Sequence, residues 1–227
     1  MQQQRHDQDI ETAVRTARST AVGESVRDPG RLGRLLYERW YVAGRATAGP
    51  SWVTQGRSWT ASGPAATRTL LRLHLAVLPA TALHVLGAVA ARADDWDAPW
   101  LLTSSALFDD LPRPEGTVLR VPLACLGELR PEVDGLVEDL RPFLAADVPA
   151  LTLRIGRGAA LAQDPGDGRS FGEHRCGLVA AAVLASPRAH HREQVQRTLR
   201  GFAAAGIDPR APYRSHGVGW DRPWRVA

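Results

Sequence analysis

The run Gly168-Arg169-Ser170-Phe171-Gly172-Glu173-His174-Arg175-Cys176 leads directly into the apolar stretch Gly177-Leu178-Val179-Ala180-Ala181-Ala182-Val183-Leu184. Ser170 followed three residues later by Glu173 is a capping-box pattern, in which each side chain satisfies a backbone N–H of the other residue, so a helix is expected to open here. A helix start carries unpaired N–H groups and partial positive charge, and Arg169, His174 and Arg175 surround this one. The combination points to an anion site, with phosphate as the natural occupant. Arg175 precedes Leu178, Val179 and Ala182 by three, four and seven residues, which puts its guanidinium at the head of the apolar face. A half-buried arginine needs an anionic partner, either a ligand or one of the chain's own carboxylates.

Upstream of this stretch, Leu71-Arg72-Leu73-His74-Leu75-Ala76-Val77 alternates as a strand does, with Arg72 and His74 on one face. Further strands are expected at Trp52-Val53-Thr54 (a short edge), Trp100–Ser105, Thr117–Pro122 and Leu151–Gly156. Helices are expected over 8–20, 31–41, 80–93, 124–146 (one or two) and 188–205. Asp28-Pro29-Gly30 reads as a turn, and 156–168 as a Gly- and Pro-rich approach to the capping box. In the helix at 31–41, Leu32, Leu35, Leu36 and Trp40 keep helical spacing, while Tyr37 and Tyr41 share an adjacent face where a hydroxyl can reach a site. Helices grouped toward both ends of a strand-rich middle, without strict alternation, indicate an α+β fold with a mixed or antiparallel sheet of about four to five strands.

A chain of 227 residues, 44% hydrophobic and with seven Trp, is long enough for one sizeable core, and no low-complexity linker divides it, so a single domain is expected. The polar start Met1-Gln2-Gln3-Gln4 and the lack of a membrane-length apolar run predict a soluble cytoplasmic protein with no membrane partner. All 28 basic residues are Arg, so no side-chain amine is present to act as a base or to form a Schiff base. Net charge is +6 over residues 1–93, −8 over 94–150 and +6 over 169–227. A pI near 9.8 invites nucleic-acid binding, but the arginines are dispersed and match no helix-turn-helix or zinc-finger pattern, so no nucleic-acid partner is expected. The acidic triplet Asp94, Asp95 and Asp97 lacks the Gly and the distant Glu of a calcium loop. Cys125 and Cys176 form no metal-type pair, and neither a metal nor another cofactor is expected.

Ala160-Leu161-Ala162-Gln163-Asp164-Pro165 leading to Ser170-Phe171-Gly172-Glu173-His174-Arg175-Cys176 resembles the signature of the HopA-type effector family. Leu36-Tyr37-Glu38-Arg39-Trp40-Tyr41 and Gly206-Ile207-Asp208-Pro209-Arg210-Ala211-Pro212-Tyr213 resemble its flanking motifs in the same order, so the likeness spans 31–213. Members of that family occur as bacterial type III effectors and, in actinobacteria, beside a kinase-like protein in making class V lanthipeptides and thioamitides. The resemblance implies a lyase that eliminates phosphate from phosphoserine or phosphothreonine in a precursor peptide, leaving dehydroalanine or dehydrobutyrine. Its implied partners are that phosphorylated peptide and the kinase-like protein. Where family members often carry lysine near the middle strands, this chain has Thr103, Ser104, Ser105 and Leu153.

Such an elimination needs a base for the α-proton, cations for the developing charge and the phosphate, and an acid for the leaving group. With no lysine, His174 and Tyr37 are the expected catalytic pair, the neighbouring positive charge keeping the imidazole neutral. Arg175, Arg169, Ser170, Arg154 and Arg113 are the expected phosphate and substrate ligands. Two other readings stand beside this one. The first is a non-catalytic subunit that binds the peptide or the kinase, and the second is a lanthionine cyclase with Cys176, Cys125 and His190 or His191 on zinc.

Overall fold

The computed structural model describes residues 2–42, 51–55, 69–105, 111 and 115–221. Arg113, one of the expected phosphate ligands, lies outside them, as do Asp109 and Asp110. The first helix, α1 (Gln2–Gly23), starts earlier than its sparse apolar pattern suggests and buries the stripe Ile10, Ala13, Val14 and Ala17. The Asp28-Pro29-Gly30 segment is the start of α2 (Pro29–Tyr37) rather than a separate turn. Asp28 accepts the Arg31 N–H at 2.6 Å and Pro29 occupies the first helical position, where its missing N–H costs nothing. A π-helical turn, Glu38–Val42, carries the chain on to Tyr41.

Among the described residues six strands form one sheet: β1 (Ser51–Gln55), β2 (Leu70–Leu75), β3 (Leu101–Ser105), β4 (Thr117–Pro122), β5 (Leu153–Gly156) and β6 (Ala159–Gln163), in the order β1-β3-β4-β2-β6-β5. Every pairing is antiparallel. The α+β expectation holds, with one strand more than the expected four to five. The additional strand is β6, which lies in the stretch read as a loop approach. Its alanines have little strand preference of their own, and pairing with β2 on one side and β5 on the other makes it a strand.

The register sorts the sheet into two unlike faces. Leu73 stands opposite Leu119 and Leu161, and these in turn opposite Leu102 and Leu153, giving a buried row of leucines across five strands. The helices α3 (Ala82–Asp94) and α4 (Leu126–Leu140) pack on each other beside it and join the same core. On the opposite face Arg72 pairs with Arg120, and His74 with Val118 and Ala160. This polar face is covered from the start of α5 (Phe171–Leu184), whose Phe171 ring lies 6.1 Å from the His74 ring. The helices α1, α2, α5 and α6 (His191–Ala204) bundle together around α5.

The helices α2 and α5 cross closely because glycines face each other: a Cβ on Gly33 would stand 3.3 Å from the Gly177 Cα. The close crossing brings Tyr37 and Tyr41 over the start of α5. Tyr41 is fully buried, donates its hydroxyl to the Ala150 carbonyl at 2.5 Å, and stacks on Tyr37 with ring centroids 5.7 Å apart. Its ring fills the space beside Gly172, where an added Cβ would come within 2.6 Å of it.

Candidate functional site

The capping box is present as expected. Ser170 Oγ accepts the Glu173 N–H at 3.1 Å, and the Glu173 carboxylate accepts the Ser170 N–H at 2.8 Å. The next free donor of the helix, the Gly172 N–H, is taken by a carboxylate from elsewhere in the chain: it donates to Glu115 Oε1 at 3.0 Å. Glu115 stands in the turn just before β4, and the hydroxyls of Tyr37 and Ser170 flank its carboxylate. Burial pushes the Glu115 carboxyl above the ordinary glutamate value, while the Gly172 N–H and the Arg72 charge draw it back. Burial and the Glu115 charge together raise the Tyr37 phenol, so Tyr37 stays protonated and has a proton to donate.

Guanidinium groups border this carboxylate from the sheet. Arg72 is buried and forks onto Asp164, both Nε and Nη2 lying 2.6 Å from Oδ2, and Nη2 also donates to the Arg169 carbonyl at 3.2 Å. Arg120, half-buried, donates from Nη1 to Thr103 Oγ1 at 2.9 Å. His74, two residues beyond Arg72 on the same face of β2, is completely buried, and neither ring nitrogen has a hydrogen-bond partner among the described residues. Burial, with Arg72 and Arg120 assisting, pulls its pKa down to about 3, so the ring is neutral.

The expected site residues divide. Tyr37, Ser170, Arg169, His174 and Arg175 gather around the start of α5. Arg154 does not join them: it sits exposed on edge strand β5 and donates to the Ala146 carbonyl at 2.8 Å. Arg169 is exposed and ion-paired with Asp167. Arg175 is buried, with Nε donating to the Pro212 carbonyl at 2.8 Å and the guanidinium carbon 4.6 Å from the centre of the Phe171 ring. Its Nη1 lies 2.5 Å from His174 Nδ1. Because a guanidinium only donates, Nδ1 is the acceptor, and the neutral imidazole carries its proton on Nε2. That nitrogen is 3.7 Å from Asp167 Oδ2. Burial first, then Arg175, hold the His174 pKa down to about 4. The imidazole is neutral as expected, but its basic lone pair is engaged by Arg175.

Glu115, Arg72 and Arg120 are further functional candidates that the structure adds to those expected. Arg72 is visible in the sequence as one of an alternating pair, whereas Glu115 and Arg120 have no local pattern to mark them. Cys176 is buried on α5 with its thiol pushed up by burial, and Cys125 lies just before α4. Among the described residues no three His, Cys, Asp or Glu side chains group as a metal ion requires, so the zinc cyclase reading finds no ligand set among them.

The architecture is that of an α+β domain in which one helix start is set into the polar face of an antiparallel sheet. Residues 57–214 match the model of the HopA1 effector protein family, and the chain belongs to that family. The match begins after the Leu36–Tyr41 motif, which therefore falls outside it. Two solved structures share the fold. The effector protein from Pseudomonas syringae pv. syringae strain 61 is 11% identical, with 92% of this chain and 98% of that one covered at a TM-score of 0.60. The effector protein from Pseudomonas syringae pv. tomato strain DC3000 is 14% identical, with 94% and 81% covered at a TM-score of 0.53. No curated protein sequence matches the chain. Among the described residues no helix is long and apolar enough to cross a membrane.

Proposed function

We propose that the protein eliminates phosphate from phosphoserine or phosphothreonine in a precursor peptide supplied by a kinase-like partner, leaving dehydroalanine or dehydrobutyrine. The observation that carries this reading is the Glu115 carboxylate, held by the Gly172 N–H and flanked by two hydroxyls and by arginines. Of the carboxylates around the helix start, Asp164 is locked by Arg72, Asp167 by Arg169, and Glu173 by the capping box. Among the described residues Glu115 is the one of these four that neither forms an ion pair nor takes part in the capping box, and it replaces His174 as the proton acceptor because the His174 lone pair is engaged. In the reaction Glu115 takes the α-proton, and the C–H electron pair becomes the Cα=Cβ double bond. The Cβ–O bond breaks, and phosphate leaves with that bonding pair. Tyr37, protonated, donates a hydrogen bond or a proton to the departing oxygen. Arginine charge offsets the negative charge on the enolate and the phosphate.

The absence of lysine supports a second reading, a non-catalytic subunit that holds the phosphorylated peptide for another component. Incubating the purified protein with a phosphorylated precursor peptide, with and without the kinase-like partner, separates the two. Loss of phosphoric acid by mass spectrometry supports the lyase, whereas binding without any loss in either condition supports the subunit.

A further inference from the structure

Arg72 on β2 and Arg120 on β4 are register partners, so two guanidinium groups project from directly opposed positions on the same face of the sheet. Like charges in that relation repel, and a fold keeps them only where anions offset the repulsion. One offset is visible: Asp164 takes Arg72. Among the described residues Arg120 makes no ion pair, and its hydrogen bond goes to the neutral Thr103 hydroxyl. Two residues along β2 on the same face, His74 is neutral and contributes no charge. Burial first, then the Arg72 charge, pull the Arg120 guanidinium down to about 10, and the Asp164 and Glu115 carboxylates offset this only in part.

Building on the phosphate chemistry proposed above, we infer that Arg120, braced by Thr103 and standing opposite Arg72, is the ligand of a phosphomonoester bound on the sheet's polar face. The candidates at the helix start are less available. The Gly172 N–H is given to Glu115, the Glu173 N–H to Ser170, and Arg175 to Pro212 and His174. Arg120 keeps part of its surface open to solvent, and a planar guanidinium matches two phosphate oxygens at once. A phosphate seated there lies beside Glu115, which also approaches Arg120 closely enough to stabilise its charge. The scissile oxygen and the proton acceptor are thereby brought to one place.

The test is calorimetric titration with N-acetyl-O-phosphothreonine N-methylamide, its unphosphorylated counterpart and inorganic phosphate. The wild type is expected to bind both phosphate-bearing probes and not the unphosphorylated one. Arg120→Gln is expected to weaken the phosphate probes by about tenfold or more, and Arg120→Lys, which keeps the charge but loses the fork, by less. Arg188→Gln, an exposed arginine past the opposite end of α5, should bind as the wild type does. Circular dichroism checks that each variant is folded, and Arg120→Lys carries the comparison if the glutamine variant is not. Unchanged affinity in the folded Arg120 variants overturns the inference, as does a wild type that binds all three probes alike. Binding needs no turnover, so a protein that loses affinity on Arg120 substitution yet never releases phosphate sinks the lyase reading and leaves the subsite intact.

Discussion

The Glu115 carboxylate accepts the backbone N–H of Gly172, 57 residues further along the chain, at 3.0 Å. This one contact joins the turn before β4 to the start of α5 and places a carboxylate where the helix offers partial positive charge. The helix start thus holds an anion already, one supplied by the protein.

The capping box at Ser170 contributes to stability through two hydrogen bonds seen at 3.1 and 2.8 Å. Ser170→Ala is expected to lower the unfolding free energy by about 1 kcal/mol. A urea denaturation midpoint equal to that of the wild type would show that the capping box adds no stability.

Gly172 is required for space, since a Cβ there would stand 2.6 Å from the buried Tyr41 ring, which is fixed in turn by its bond to Ala150. Gly172→Ala is expected to cost roughly 1–3 kcal/mol, the usual range for overpacking a tight core. The Tyr41 environment should change with it, and near-ultraviolet circular dichroism reads that change directly.

His74 gives the fold a dependence on pH with a definite sign. Its folded pKa, about 3, lies below the ordinary histidine value, so the unfolded chain binds the proton more readily between the two. The stability this supplies is complete above about pH 6.5 and is lost as pH falls toward the folded value. His174, held at about 4, acts in the same direction. His74→Leu keeps the volume and removes the titration, so its stability is expected to fall less steeply than the wild type's between pH 6.5 and pH 4. Parallel curves for the two proteins would show that His74 is not held neutral.

Much of this site is legible locally, and the missing part is non-local in origin. Ser170 and Glu173 are three residues apart, and their pattern announces both the helix and its cap. Arg72 and His74 alternate, which places them on one face of a strand, although alternation leaves open whether that face is exposed or, as here, buried beneath Phe171. The strand β6 escapes because alanines state no preference until β2 and β5 pair with them. Glu115 and Arg120 escape for the same reason: one gains its meaning from a helix 57 residues away, the other from its partner Arg72 across a strand pairing. His174 is read correctly as neutral. That Arg175 engages its lone pair depends on rotamers, which spacing does not reveal.

Glu115 as the proton acceptor is the centre of the proposed elimination. The direct measurement is the rate of phosphoric acid loss from a phosphorylated precursor peptide, read by mass spectrometry with the kinase-like partner present, for the wild type and Glu115→Gln. The glutamine still accepts the Gly172 N–H but cannot take a proton. Elimination is expected for the wild type, with a rate about a hundredfold or more lower for Glu115→Gln and peptide binding retained by both. A Glu115→Gln protein that eliminates phosphate at the wild-type rate would rule out Glu115 as the base, and a wild type that binds the peptide and releases no phosphate would rule out the lyase.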